Sequence, residues 1–369
     1  MTDSVTSRRV RVLVVDDSVV TRKVLGEVLA ATPGIELAGT ASNGELALAK
    51  LDQLKPDLIT LDIEMPGMNG LQVLAEIRKR YPKLPVIMFS TMTERGAKAT
   101  LDALSLGATD YATKPTNSDN LANAKEQIAK DLLSKILGLQ AAIPVPVAAE
   151  RRMPPQPAAY KPVQRRIDIV AIGTSTGGPT ALAELIPQLP KEFPVPVLVV
   201  QHMPALFTRM MAERLDSRSA LLVREGQTGT KIEAGQVWIA PGDFHLTVAR
   251  KGMDMVLDLN QEPPEHSCRP AVDVLFRSVA RNYGPHALAV ILTGMGFDGT
   301  KGAKAVRDAG GDVVVQDESS AVVWGMPGAV VAAGVTDQVY PLGRMAQEIV
   351  RRVSSRRWLT TKAAGSGTL

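Results

Sequence analysis

The chain has 369 residues, 45% of them hydrophobic, which is enough for two ordinary globular cores. Its formal net charge is +4, with the basic excess in clusters flanking the apolar stretches (Arg151, Arg152, Arg165 and Arg166; Arg351, Arg352, Arg356 and Arg357), and aromatics are only 4%, so no basic stripe of the nucleic-acid-binding kind is present. The single cysteine, Cys268, excludes an intrachain disulfide, and no apolar run is long enough to span a bilayer. The start of the chain is polar and charged through Arg11 and shows no signal peptide. The expectation is a cytoplasmic protein with no direct membrane insertion and no nucleic-acid partner.

Residues 10–15 read as an apolar strand ending at Asp16-Asp17. Ser18 is placed to cap a helix that buries Val20, Val24, Leu25 and Leu29. Further strands are expected at 35–39, 57–61, 84–89 and 108–112, and helices at 45–54, 71–80, 97–106 and 119–137. Strands alternating with helices in this way predict a doubly wound parallel sheet, whose ligands sit beyond the carboxyl ends of the strands. On that edge fall Asp16, Asp17, Asp62, Thr91 and Lys114. Carboxylates on adjacent strand ends repel one another without a cation, and oxygen-only donors suit Mg²⁺. Thr91 and Lys114 can hold phosphoryl oxygens at the same rim. Helix capping alone accounts for one or two of these positions but poorly for all of them.

Residues 9–139 resemble a response-regulator receiver domain through Val14-Val15-Asp16-Asp17-Ser18, Leu61-Asp62-Ile63-Glu64-Met65-Pro66, Ser90-Thr91 and Thr113-Lys114-Pro115. The resemblance implies a flavodoxin-like fold and phosphorylation of Asp62 by a histidine kinase. It also implies Mg²⁺ held by Asp16, Asp17, Asp62 and the Glu64 carbonyl. Thr91 and Lys114 would contact the phosphoryl group, and Tyr111 would be the aromatic switch.

From 140 to 166 the helical pattern fails, and Pro144, Pro146, Pro154, Pro155, Pro157 and Pro162 mark an extended connector. Residues 167–172 are then an apolar, largely β-branched run that stops at Gly173-Thr174-Ser175-Thr176-Gly177-Gly178-Pro179, followed by a helical pattern. A strand, a tight glycine turn and a helix N-terminus place free N–H groups around Ser175. A hydroxyl there can be a nucleophile with those groups as an oxyanion hole. A phosphate-binding turn and a plain serine-capped connection are the bland readings, and the Gly-x-Ser-x-Gly match is weak without context.

Later strands are expected at 195–200, 236–240, 287–292 and 312–316, with helices at 207–215, 271–283 and 345–353, and an antiparallel hairpin across 244–259 broken at Lys251-Gly252. Two more strand ends carry chemistry, Gln201-His202 and Thr293-Gly294-Met295-Gly296-Phe297-Asp298-Gly299. A base must reach the serine and a carboxylate must orient the base. His245, His266 and His286 are rival bases, and Asp273 and Asp243 weaker rival acids.

The order Ser…His…Asp is not that of α/β-hydrolases. With Arg269-Pro270-Ala271-Val272-Asp273-Val274-Leu275-Phe276, these segments resemble the catalytic domain of the chemotaxis methylesterases, over 167–356 as a Rossmann-like domain, leaving 357–369 as a disordered tail. The resemblance implies a Ser175 nucleophile, a His202 base, an orienting Asp298 and an oxyanion donor from the Met295 backbone. It implies hydrolysis of glutamyl methyl esters on methylated chemoreceptors, with deamidation of receptor glutamines in many members. The esterase half is expected to need no cofactor, and the unphosphorylated receiver to cover the active edge. The rival from another class is a response regulator whose output domain binds a nucleotide or a partner without catalysis. Such a module needs the glycines but not His202 or Asp298.

Overall fold

The computed structural model describes residues 8–114, 125–126, 128–140, 165–336 and 338–364. The chain divides into two compact units, Met1–Val145 and Pro146–Leu369. The connector expected at 140–166 lies almost wholly outside the described residues.

In the first unit the strands are β1 (Val10–Val15), β2 (Ile35–Ala41), β3 (Leu58–Asp62), β4 (Val86–Ser90) and β5 (Asp110–Thr113). They form one parallel sheet in the order β2-β1-β3-β4-β5. The interior strands are apolar and buried on both faces, as helices on either side demand. Helices α1 (Val19–Ala30), α2 (Gly44–Leu54), α3 (Gly70–Arg80) and α4 (Glu94–Ser105) start at Ser18, Asn43, Asn69 and Thr93, each accepting from a backbone N–H of the first turn. Val20, expected in the core, is 66% exposed: burial follows the stripe Val24, Leu25, Val28 and Leu29, and the first turn of α1 lies outside it. Of the helix expected at 119–137, the first residues lie outside the described ones. Its later part is a π-helical turn, Ala129–Leu133, running into α5 (Ser134–Gln140).

The second unit holds β6 (Ile169–Thr174), α6 (Gly178–Leu185), β7 (Val197–Gln201), α7 (Ala205–Asp216), β8 (Leu222–Glu225) and β9 (Gln236–Ile239). There follow β10 (His245–Lys251), β11 (Asp254–Asn260), α8 (Val272–Tyr283), β12 (Ala287–Ile291), α9 (Thr300–Asp308) and β13 (Asp312–Gln316). Last come α10 (Gly325–Ala332), β14 (Gln338–Tyr340) and α11 (Leu342–Ala364). Seven strands make a parallel sheet in the order β14-β13-β12-β6-β7-β9-β8. From β6 the chain first works outward through β7 and later returns to β12 on the other side. The crevice beyond β6 and β12 is therefore the topological switch point. The β10–β11 hairpin is antiparallel and is tied to α8 by Val248 N–H donating to Ser278 Oγ at 3.1 Å.

The short strand β8 has no counterpart in the sequence reading, and α10 and β14 lie where it expects only unplaced short elements. The last helix is longer than expected, and residues 357–364 are helical instead of forming part of a tail. The physical reason is simple: no glycine or proline occurs between Arg344 and Ala364.

Inside α11, Arg352 is 5% exposed and donates to Glu348 Oε1 at 2.6 Å and to Asp312 Oδ2 of β13 at 3.0 Å. Removing the guanidinium takes a buried charged donor away from both carboxylates, although Glu348 keeps Arg351 and Tyr340. Arg352→Met is expected to destabilise this unit by about 3 kcal/mol, the usual cost of breaking a buried pair on one side. Urea titration of wild type and variant measures it, and an unchanged midpoint would refute it.

Candidate active site

The apolar run of β6 ends at Thr174, and the chain turns through Ser175 into α6. Ser175 N–H donates to Thr293 O at 3.0 Å, which joins the β6 and β12 strand ends. The Ser175 carbonyl accepts from Gly178 N–H at 2.8 Å and from Gln201 Nε2 at 3.0 Å. A Cβ at residue 294 would lie 3.0 Å from Ser175 Cβ and 2.3 Å from Met326 Sδ, so only glycine lets the 293–299 loop lie against the serine.

The β6–β7 register pairs Thr174 with Gln201, so Ser175 and His202 are the next residues on adjacent strands. His202 Nε2 is 2.8 Å from Asp298 Oδ2. Asp298 is 2% exposed. Its Oδ2 also accepts from Val272 N–H at 2.7 Å, and its Oδ1 accepts from Asp273 N–H at 2.9 Å and Gly299 N–H at 2.8 Å. Burial alone would raise this carboxyl, but the His202 contact and the backbone donors hold it below its ordinary value. Burial lowers the His202 imidazole, yet Asp298 and the Cys268 thiol beside it outweigh that effect and push it above its ordinary value.

With Nε2 on Asp298, Nδ1 is the ring nitrogen left to take a proton. Among the described residues no hydrogen bond joins Ser175 Oγ to His202. Catalytic contacts of this kind commonly tighten only with substrate in place. No acceptor among the described residues takes the N–H of Met295 or of Thr176.

The rival histidines have other partners. His245 is fully buried, accepts from Ala271 N–H at Nδ1 (3.2 Å) and faces Pro263 O with Nε2 (3.2 Å), a structural arrangement. His286 Nδ1 faces Arg166 O at 2.8 Å. His266 has its own aspartate, Nε2 to Asp273 Oδ2 at 3.0 Å, and its ring meets Phe297 edge to face at 4.7 Å. Asp243 pairs with Arg269 at 2.6 Å. Cys268 was missed as a neighbour of His202. The only hint in the sequence was its place just before Arg269-Pro270.

In the first unit, Asp16 and Asp62 are buried at the β1 and β3 ends, and ligand oxygens of Asp16, Asp17 and Asp62 lie within 4.8 Å of one another. Lys114 Nζ sits 3.0 Å from Asp16 Oδ2 and 2.7 Å from Asp62 Oδ2, and apart from this ammonium both oxygens lack a hydrogen-bond partner. Burial pushes Asp62 up to about 6, with Lys114 opposing and Asp16 adding to the rise. Asp62 Oδ1 accepts from Glu64 N–H at 3.2 Å, while the Glu64 carboxylate faces Arg95 at 3.8 Å. Thr91 Oγ1 is 3.2 Å from Thr93 Oγ1. Tyr111 is buried, with the Lys135 ammonium 4.7 Å from the ring centroid. Among the described residues, no helix is long and apolar enough to cross a membrane.

The family model of the response regulator receiver domain matches residues 12–126, and that of the CheB methylesterase matches residues 170–349. A protein-glutamate methylesterase/protein-glutamine glutaminase of Trichodesmium erythraeum is 48% identical over 93% of this chain and 99% of its own length. One of the same name from a Nocardioides species is also 48% identical, over 94% and 96%. The CheB methylesterase catalytic domain of Thermotoga maritima, a solved structure, is 45% identical and covers 50% of this chain and 98% of its own, with a TM-score of 0.49. A receiver sheet ahead of a second parallel sheet, and likeness to these relatives over nearly the whole chain, lead to one conclusion: the chain belongs to the protein-glutamate methylesterase/protein-glutamine glutaminase family of response regulators.

Proposed function

We propose that this chain removes methyl groups from glutamyl methyl esters of chemoreceptors, with Ser175 as nucleophile, His202 as base and Asp298 as orienting acid. The carrying observation is the His202–Asp298 pair at 2.8 Å, set on the strand end next to Ser175. Ser175 Oγ attacks the ester carbonyl carbon, and its proton passes to His202 Nδ1. The free N–H groups of Met295 and Thr176 receive the oxyanion. His202 returns the proton to the departing methoxide, releasing methanol. A water then attacks the acyl-enzyme along the same route and leaves glutamate. A glutamine side chain can follow the same path with ammonia leaving, which accounts for deamidation as a second activity. None of these steps calls for a cofactor.

The receiver is proposed to gate this activity, with a histidine kinase as phosphodonor and Asp62 as acceptor. Asp16, Asp17 and Asp62 with the Glu64 carbonyl would hold Mg²⁺, which when bound neutralises charge on the phosphoryl oxygens. The fit rests on buried carboxylate oxygens with no partner but Lys114. Thr91 and Lys114 are assigned to the phosphoryl group, and Tyr111 to the switch. The reading places the protein in the cytoplasm, where chemoreceptors expose their methylation helices.

Ser175→Ala is expected to lower methanol release from methylated receptor fragments by several orders of magnitude, with melting unchanged. Wild-type turnover in that variant would remove the serine assignment.

Protonated His202 cannot accept a proton, so activity rises with pH as the imidazole deprotonates. Because its folded value is raised, the acid limb of kcat/KM should lie above 6.5. Asp298→Asn removes the anion that raises it, so the limb should move to lower pH while the maximum falls. A limb that does not move would separate Asp298 from His202.

Chelation should block phosphorylation of Asp62 and leave the esterase activity of a receiver-free fragment intact. That fragment should be more active than the unphosphorylated full chain. Asp62→Asn should stay at the basal rate with phosphodonor present. A receiver-free fragment slower than the full chain would make the receiver an activator instead.

A further inference from the structure

Gln201 closes β7 immediately before His202 and is 2% exposed. Its amide nitrogen lies 3.0 Å from the Ser175 carbonyl and 3.3 Å from the His202 carbonyl. Two carbonyl acceptors require the –NH₂ end of the amide at that position, which fixes the orientation of the side chain. One side chain thus spans the backbone of the proposed nucleophile and of the proposed base. The other end is left unsatisfied: Gln201 Oε1 is buried and has no hydrogen-bond partner. A buried acceptor without a partner costs stability. A glutamine kept only for packing would carry that cost with nothing gained over an apolar side chain of its size.

Room for the amide comes from α6. A Cβ at Gly178 would lie 1.9 Å from Gln201 Oε1 and 2.5 Å from Thr174 Oγ1. Gly178 N–H is also the second donor to the Ser175 carbonyl, at 2.8 Å. The first residue of α6 and the last of β7 therefore grip the same carbonyl from two sides.

We propose that Gln201 is a positioning residue for the hydrolase reaction: its amide nitrogen clamps the backbone carbonyls of Ser175 and His202 and so sets the approach of Ser175 Oγ to His202 Nδ1. The inference rests on the Ser175–His202 reading above. The clamp touches neither substrate nor the reacting atoms. It acts on the separation of two groups that must meet within hydrogen-bond reach, and a misplacement of about 1 Å there costs about a hundredfold in rate.

The test uses the full-length phosphorylated chain and three variants. Gln201→Met keeps the volume and removes the donors. Gln201→Glu keeps the shape and replaces the donors with acceptors. Gly178→Ala leaves Gln201 in place and pushes its amide off the carbonyls. Each is first checked for a cooperative melt, and any one that folds carries the test.

Two readouts are taken: kcat and KM for methanol release from methylated receptor fragments, and the rate of Ser175 labelling by a p-nitrophenyl alkylphosphonate. The phosphonate reports alignment without any receptor contact. The expected result is a kcat lower by about tenfold to a hundredfold, KM within about twofold of wild type, and phosphonate labelling slowed in parallel. A folded variant with wild-type kcat and labelling rate would overturn the clamp, as would a loss confined to KM. Ser175→Ala, run alongside, separates the failures. If it still releases methanol, the nucleophile assignment is at fault; if it is inert while the Gln201 variants are fully active, the clamp alone is wrong.

Discussion

The Asp298 carboxylate holds the second unit's candidate active edge together. It is buried, and an ion in that position survives only if its oxygens are saturated with donors. Two of the donors, Val272 N–H and Asp273 N–H, open α8, where the first N–H groups of a helix have no intrahelical acceptor. Asp298 therefore caps α8 from across the fold. Asp273, in the first turn of α8, reciprocates by accepting Gly302 N–H at 2.6 Å in the first turn of α9. The two helices exchange acidic caps, each satisfying the other's orphan donors and opposing its positive end. The exchange holds Asp298 through backbone donors that are independent of His202, so the orientation of His202 follows from helix packing.

The first unit uses the opposite device. Its strand-end carboxylates converge with one backbone donor each, Ser18 N–H on Asp16 Oδ1 and Glu64 N–H on Asp62 Oδ1, and among the described residues only Lys114 faces their Oδ2 oxygens. Burial disfavours the ionised state, and Asp62 is pushed up accordingly, with the Lys114 ammonium opposing and the neighbouring Asp16 charge adding to the rise. A saturated carboxylate is a fixed tool. An undersaturated one is a site that responds to what binds it, which is the property a phosphate-accepting switch needs.

Most of both sheets was legible in the sequence because buried parallel strands are continuous apolar runs ending in polar or glycine-rich turns. The residues proposed for the two sites stand out in the sequence for the same reason: they follow such runs directly. What escaped was local and edge-like. Strand β8 alternates exposed Leu222 with buried Val223 over four residues, too short to carry a period. The extension of α11 through Ala364 was hidden by a serine- and threonine-containing stretch that lacks an apolar stripe. Val20 has the right spacing for the α1 stripe and is exposed all the same, because spacing defines a face and not how far along the helix that face is covered. The partners of His266 and the neighbour of His202 could not be read either. His266 itself and Cys268, the neighbour of His202, both lie in the 265–268 turn, where His266 and Ser267 take positive φ and swing consecutive side chains in different directions, while Asp273 and Phe297 reach His266 from α8 and from the 293–299 loop.

The chain order Ser…His…Asp is itself a consequence of strand order. In the sequence β12-β6-β7, the central strand is the first to be laid down, so the group at its end comes first in the chain. The neighbour β7 follows directly, and its strand end supplies the histidine through the Thr174–Gln201 pairing. The other neighbour, β12, is reached only after the sheet has been extended through β9 and the hairpin and α8 have been added. A carboxylate from the β12 edge is therefore necessarily last. It is also the one that follows α8, the helix whose N-terminus it caps. The same three groups can sit on other sheets in other orders. On this one, helix capping and strand order together favour the arrangement observed.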